Sequence, residues 1–188
     1  MKDKLLLVGA GSFGRVVLEH AIKEYDCAFV DDGVEKGTLV NGVPVLGSLA
    51  DIGALFGEFE KLIVVIGNNK VREKVYEKAS EIGYEFPNII VPSAYISPYA
   101  TIGSGCVILN NTVVQNGAVI GNGVILNAGV EAHQDSGIGN NVLVYANTVI
   151  RSMTHVGDRA WIGCNVSIGT GVTVPEDARI EDGTVVIL

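Results

Sequence analysis

Residues 96–126 read ISPYATIGSGCVILNNTVVQNGAVIGNGVIL. An aliphatic residue opens every sixth position: Ile96, Ile102, Ile108, Val114, Ile120 and Leu126. Four residues after each of the first five stands a small or β-branched one: Ala100, Cys106, Thr112, Ala118 and Val124. The phase runs on without insertion through Ala132, Ile138, Val144, Ile150, Val156, Ile162, Ile168, Val174 and Ile180 to Val186, fifteen hexads in all. A six-residue repeat fits a β-solenoid, in which each hexad supplies one short strand and one turn. Three hexads close a triangular coil, so residue i stacks on residue i+18, and about five coils bury one continuous core. Only one lead position, Ala132, lacks a large aliphatic side chain.

Upstream the period changes. Lys4–Val8 is a short apolar run ended by glycine, which reads as a buried parallel strand. Gly9-Ala10-Gly11-Ser12-Phe13-Gly14 and a helical stretch, RVVLEHAIKEY, follow. Further strands are predicted at Cys27–Val30 and Lys61–Ile66, and helices at Leu49–Phe56 and across VREKVYEKASEIG. NGVPVLG (41–47) reads as turn-rich. The result is a Rossmann-like α/β unit over 1–88 and a solenoid over 89–188, with the boundary in the proline cluster of Pro87, Pro92 and Pro98.

Composition narrows the function. The net charge is −8 with no basic run, which argues against nucleic acid or an anionic membrane as partner. No apolar run approaches the ~20 residues of a transmembrane helix, and no signal peptide precedes the first strand. Cys27, Cys106 and Cys164 are odd in number and show no CxxC spacing, as expected of free thiols in a cytoplasmic protein without a metal site. GAGSFG fits GxGxxG between a strand and a helix, where glycines admit a phosphate and the helix N-terminus favours its charge. Asp31 lies near the place of a ribose-binding acid, so NAD is one reading of the loop. A unit of about 85 residues lacks the second half of a dinucleotide fold and offers no separate catalytic domain for hydride transfer, which argues against NAD.

With both halves in hand, the chain resembles the NeuD/PglD-type sugar-nucleotide acetyltransferases of the bacterial transferase hexapeptide family. The resemblance rests on LLLVGAGSFGRVV (5–17), FVDD (29–32), NGVPVLG (41–47), IGNNKVREKV (66–75), VPSAYISPYATIG (91–103) and the hexads, and spans nearly the whole chain. It implies a left-handed parallel β-helix behind the α/β unit. It also implies a homotrimer, and acetyl transfer from acetyl-CoA to an amino or hydroxyl group of a nucleotide-linked or related sugar. By the same resemblance Gly9, Gly11, Ser12 and Phe13 hold the diphosphate, Phe13 standing where relatives carry a histidine. Asp31 and Asp32 match a pair near the nucleoside, and Gly67 and Asn68 a third phosphate-side loop. A purely structural role as strand-end turn residues stays open for all four.

Transfer to an amine needs a general base, and histidine titrates close to neutral pH. A neighbouring carboxylate can fix its tautomer and stabilise its charged form. Similar enzymes carry the hexad V-E-H-D/E-C-V. Here it is Ala132-His133-Gln134-Asp135-Ser136-Gly137, with the phase pinned by Leu126 and Ile138. Gln134 therefore matches the family histidine, His133 stands one residue early, and Asp135 matches the acid. Adjacent strand residues face opposite sides, so a one-residue shift matters. Three readings stay open. A bulge at Ala132 lets His133 act as base with Asp135 beside it; Gln134 occupies a degenerate site that binds a sugar nucleotide without turnover; or His133 is a solvated turn residue.

The resemblance places acetyl-CoA contacts at Leu143, where relatives have a histidine or similar residue, at Arg151, where they have alanine, and at Cys164, there through the backbone. Glycine amides of the helix are expected to stabilise the oxyanion. His155 is the other candidate base, at a turn position where a surface role is the stronger reading; His20 reads as structural, and Trp161 as an outward or corner position. Relatives carry a capping tail where this sequence stops at Leu188.

Overall fold

The apolar run Leu5–Val8 is fully buried at the heart of a five-stranded sheet. The elements of this first unit are β1 (Asp3–Val8), α1 (Ser12–Ala21), β2 (Tyr25–Val30), β3 (Leu39–Val40), β4 (Val43–Gly47), α2 (Ile52–Leu55), β5 (Lys61–Val64) and α3 (Asn69–Ile82). The sheet order is β3-β4-β2-β1-β5, parallel except for the β3–β4 hairpin. The computed structural model describes residues 2–187 and divides into two compact units between Ile89 and Ile90. Leu188, and with it the question of a tail, lies outside the described residues.

The order of the strands places the crevice. From β1 the chain moves outward to β2 and β4, then returns to β5 on the other flank of β1. The direction of winding therefore reverses at the carboxyl end of β1, where open parallel sheets bind ligands. The segment NGVPVLG departs from its turn-rich reading. Asn41 (φ 48°) and Gly42 (φ 81°) make a two-residue turn, and Val43–Gly47 is a strand parallel to β2. Two consecutive positive φ angles are what a tight hairpin needs, and Asn-Gly supplies them. Pro44 sits in a strand flanked by β2 and the two-residue β3, and its pairing with β2 is irregular, as a proline without an N–H requires.

The second unit is a left-handed parallel β-helix. Its three sheets stack two-residue strands in exact i, i+18 register, as in Val114↔Ala132, Ala132↔Ile150 and Ile150↔Ile168. The lead aliphatics and their small partners fill one core, in which Ala132 and Ile150 are both fully buried. From Gly105 onward one residue per corner adopts a left-handed conformation: Gly105, Asn111, Gly117, Gly123, Gly129, Asp135, Asn141, Asn147, Met153, Arg159, Asn165, Gly171, Asp177 and Gly183. Glycine, asparagine and aspartate tolerate that region best, which explains most of these identities. Met153 and Arg159 occupy it at a cost of roughly 1 kcal/mol each.

Candidate functional site

In the first unit three loops meet the carboxyl ends of the central strands. Gly9 sits at φ 113°, open to glycine without strain. A Cβ on Gly14 would drive into the Gly9 carbonyl oxygen, so the third glycine of the motif lets α1 start against the loop. Gly11 has open space around its Cα and caps α1 without a side-chain hydrogen bond. The first-turn amides at Ser12 and Phe13 thus keep the donor character that attracts a phosphate.

Asp31 fastens two loops: its Oδ2 accepts from the Ala10 N–H at 2.7 Å and its Oδ1 from the Gly33 N–H at 2.7 Å. Asp32 Oδ1 accepts from the Leu49 N–H at 2.8 Å. Both carboxylates shape the crevice wall. In the third loop Gly67 has open space around it, while Asn68 caps α3, its Oδ1 accepting from the Val71 N–H at 3.1 Å. Behind that loop Arg72 is fully buried and donates to the Ile66 carbonyl (2.8 Å) and to Asn69 Oδ1 (2.9 Å). The sequence reading passed over Arg72. Its signal was the spacing of Asn69, Arg72, Val75 and Ala79, the buried stripe of α3. Asn68→Ala should cost about 1 kcal/mol of stability through loss of the cap. A thermal melt against Asn68→Asp, which keeps an acceptor, checks it.

In the solenoid the expected bulge at Ala132 is absent. Val114 and Ile150 flank it in register, the Gln115 N–H donates to the Ala132 carbonyl, and the His133 N–H donates to the Ile150 carbonyl. Continuous parallel pairing leaves no room for an extra residue, and the missing side chain is accommodated in the core. His133 therefore points outward from its strand, on the same face as Glu131. Its Nε2 lies 3.1 Å from Glu131 Oε2, with the ring 26% exposed. Asp135 lies past the corner at φ 57°, exposed, its carboxylate over the space that Gly117 leaves by having no side chain. The carboxylate that meets the histidine is Glu131, not Asp135. The signal for Glu131 was strand alternation, which puts residues i and i+2 on one face. Gln134 stays at the exposed corner, its N–H bonded to Gln115 Oε1 at 3.2 Å.

One coil along from His133 in the same outward column stands Arg151, exposed and without a side-chain partner among the described residues. The other two expected donor contacts do not fit. Leu143 is 3% exposed and presents no open surface. The Cys164 N–H donates to Asp182 Oδ1 (2.7 Å) and its carbonyl accepts from Gly183 (2.8 Å), so both backbone groups are used within the chain. The glycine amides are committed as well: Gly117, Gly121, Gly137, Gly139, Gly157 and Gly169 all donate along the coils. The Ser152 N–H, at the corner after Arg151, donates to no acceptor among the described residues.

The remaining candidates play structural parts. His155 lies over Gly137, and Trp161 stacks between Tyr145 and the Arg179 guanidinium. Cys106 is buried, Cys27 and Cys164 half-buried, and burial pushes the Cys27 thiol up to about 11. Among the described residues no group of three His, Cys, Asp or Glu side chains is placed to hold a metal, and no helix is long and apolar enough to cross a membrane.

With this geometry in hand, comparison with known proteins finds the PglD N-terminal domain over residues 4–79. GDP-perosamine N-acetyltransferase of Escherichia coli O157:H7 is 30% identical over 174 residues, covering 88% of this chain and 78% of that protein. Among solved structures, the acetyltransferase domain of PglB from Neisseria gonorrhoeae aligns with a TM-score of 0.93 and 32% identity, covering 99% of this chain and 92% of that one. PerB from Caulobacter crescentus, in complex with CoA and GDP-perosamine, aligns with a TM-score of 0.91 and 28% identity, covering 98% and 88%.

Proposed function

The chain belongs to the NeuD/PglD-type sugar-nucleotide acetyltransferases, and from that premise we propose which of its residues perform the transfer. It is an acetyl-CoA-dependent enzyme that moves an acetyl group to an amino group of a nucleotide-linked sugar. The acceptor to try first is GDP-perosamine, named for two of its relatives. The cytoplasm is its place of action and a homotrimer its working form.

The two units divide the work. In the first, Gly9, Gly11, Ser12 and Phe13 receive the diphosphate at the start of α1, with Gly67 and Asn68 on the neighbouring loop. Asp31 and Asp32 hold the crevice in shape, and Asp32 keeps Oδ2 for the nucleoside. In the second, acetyl-CoA brings a reactive thioester, and Arg151 gives its phosphates a free guanidinium. The Ser152 N–H is the backbone donor for the oxyanion in place of the glycine amides. His133 is the general base.

The observation that carries the assignment is the His133–Glu131 contact on an unbroken strand. It supplies a partly exposed imidazole, held in one orientation, in a column shared with Arg151. Thiol release from acetyl-CoA in the presence of GDP-perosamine and other nucleotide-linked amino sugars tests the activity. Turnover should appear with at least one of them, and Arg151→Ala should raise the KM for acetyl-CoA about tenfold, the loss of one charge-assisted hydrogen bond. Tight sugar-nucleotide binding without thiol release would instead make this a binding protein with Gln134 in a degenerate site.

A further inference from the structure

We infer that Glu131 is the carboxylate that orients His133, and that ring atom Nδ1 is the one that accepts the proton. The inference rests on His133 as base and names the group and the atom through which it acts. Glu131 opens the two-residue strand and His133 follows it, still hydrogen-bonded into the ladder, so the two flank the buried Ala132 and both side chains leave the same face. That strand is clamped from both sides: Val113↔Glu131↔Val149 pair in register, and the amides at Gln115 and His133 close the ladder around Ala132. The 3.1 Å contact between Nε2 and Oε2 is therefore built on backbone that has no freedom to slide.

Asp135 has no such footing. It follows the corner, in a left-handed conformation shared by Gly117, Met153 and Gly171 in the same column, with its carboxylate over Gly117. Its type is accounted for by the turn, whereas Glu131 sits on a strand face where the turn demands nothing.

The contact also assigns the tautomer. A carboxylate accepts only, so the neutral ring must carry its hydrogen on Nε2. Nδ1 is then the lone pair that faces the substrate, and no described residue engages it. As the amine nitrogen forms its bond to the acetyl carbon and the thioester C–S bond breaks, the nitrogen gives its proton to Nδ1. The imidazolium formed lies against the Glu131 carboxylate, and the proton passes on to the thiolate that leaves. Glu131 is a positioning residue: it acts through the ring and touches neither substrate.

The full-length protein tests this by a double-mutant cycle and a spectrum. Glu131→Ala should lower kcat at least about tenfold while both KM values stay within about twofold. Glu131→Gln, whose amide oxygen still accepts from Nε2–H, should fall between that variant and the parent. In a His133→Ala background Glu131→Ala should cost nothing further. In ¹⁵N spectra the neutral His133 ring should be protonated on Nε2. The proposal is overturned by an unchanged kcat in Glu131→Ala, by equal losses in both backgrounds, by a kcat loss confined to Asp135→Gly, or by a neutral ring protonated on Nδ1. Should His133→Ala retain full turnover, the base assignment falls, and the ring spectrum still decides the Glu131 contact separately.

Discussion

Replacing His133 with alanine is expected to lower kcat by about 10²- to 10⁴-fold, the usual contribution of a positioned general base. The side chain is partly exposed and outside the core, so the variant should fold. Affinity for the nucleotide sugar should survive, because the loops proposed to receive its diphosphate belong to the other unit. The companion variant is Gln134→Ala. Glutamine has no proton-accepting atom at neutral pH, and its backbone N–H and carbonyl, the groups the structure uses, are kept by alanine. That variant should keep kcat within about threefold of the parent. The reverse pattern, with Gln134→Ala inactive and His133→Ala active, would move the chemistry to the corner.

The second large effect is expected in the first unit, from a single methyl group. Gly14→Ala places a Cβ against the Gly9 carbonyl oxygen, well inside contact distance, with Val65 close behind. Alanine is the better helix former by about 1 kcal/mol. That gain loses here, because the obstructing atom is backbone and has no rotamer to adopt. Relief requires moving the loop away from α1, at a cost of about 3 kcal/mol. The melting temperature should fall by several degrees, and nucleotide-sugar binding should weaken with it, because the displaced loop around Gly9 leads directly into the first-turn amides of α1 at Ser12 and Phe13. Gly11→Ala is the contrasting case. No atom of the chain lies near its Cβ, so stability should hold while the phosphate site alone is narrowed. Equal melting temperatures for Gly14→Ala and the parent would contradict the argument.

Much of the architecture was legible because it repeats. The lead aliphatics give the solenoid, its phase and its i, i+18 stacking from spacing alone, and every pairing along the sheets follows that count. The hairpin at Asn41-Gly42 was harder, because Pro44 masks a strand that nevertheless pairs on both sides, irregularly with β2 and briefly with β3. At the site, the family pattern pointed past the corner to Asp135, and two physical facts redirect it. Ala132 keeps its register, so His133 stays on the strand face, and strand alternation then selects Glu131. The donor side was least legible. Whether a backbone amide is free, as at Ser152, or spent, as at Cys164, depends on the neighbouring coil and leaves no mark on the residue itself. Arg72 shows a related blind spot: an arginine in a charged helix reads as surface until its place on the buried stripe is counted.

The left-handed corners impose a constant background on the second half of this sequence. Each turn of the helix demands a residue that tolerates positive φ, so acids and amides accumulate there whatever the protein does. An aspartate at such a point carries little information about catalysis. Informative residues are those the geometry leaves unconstrained: outward strand positions, where aliphatic, polar and charged side chains are equally admissible. Glu131, His133 and Arg151 are such free choices, and they fall together. Departures from the corner background, rather than a motif, are what set this group of residues apart in a hexapeptide chain.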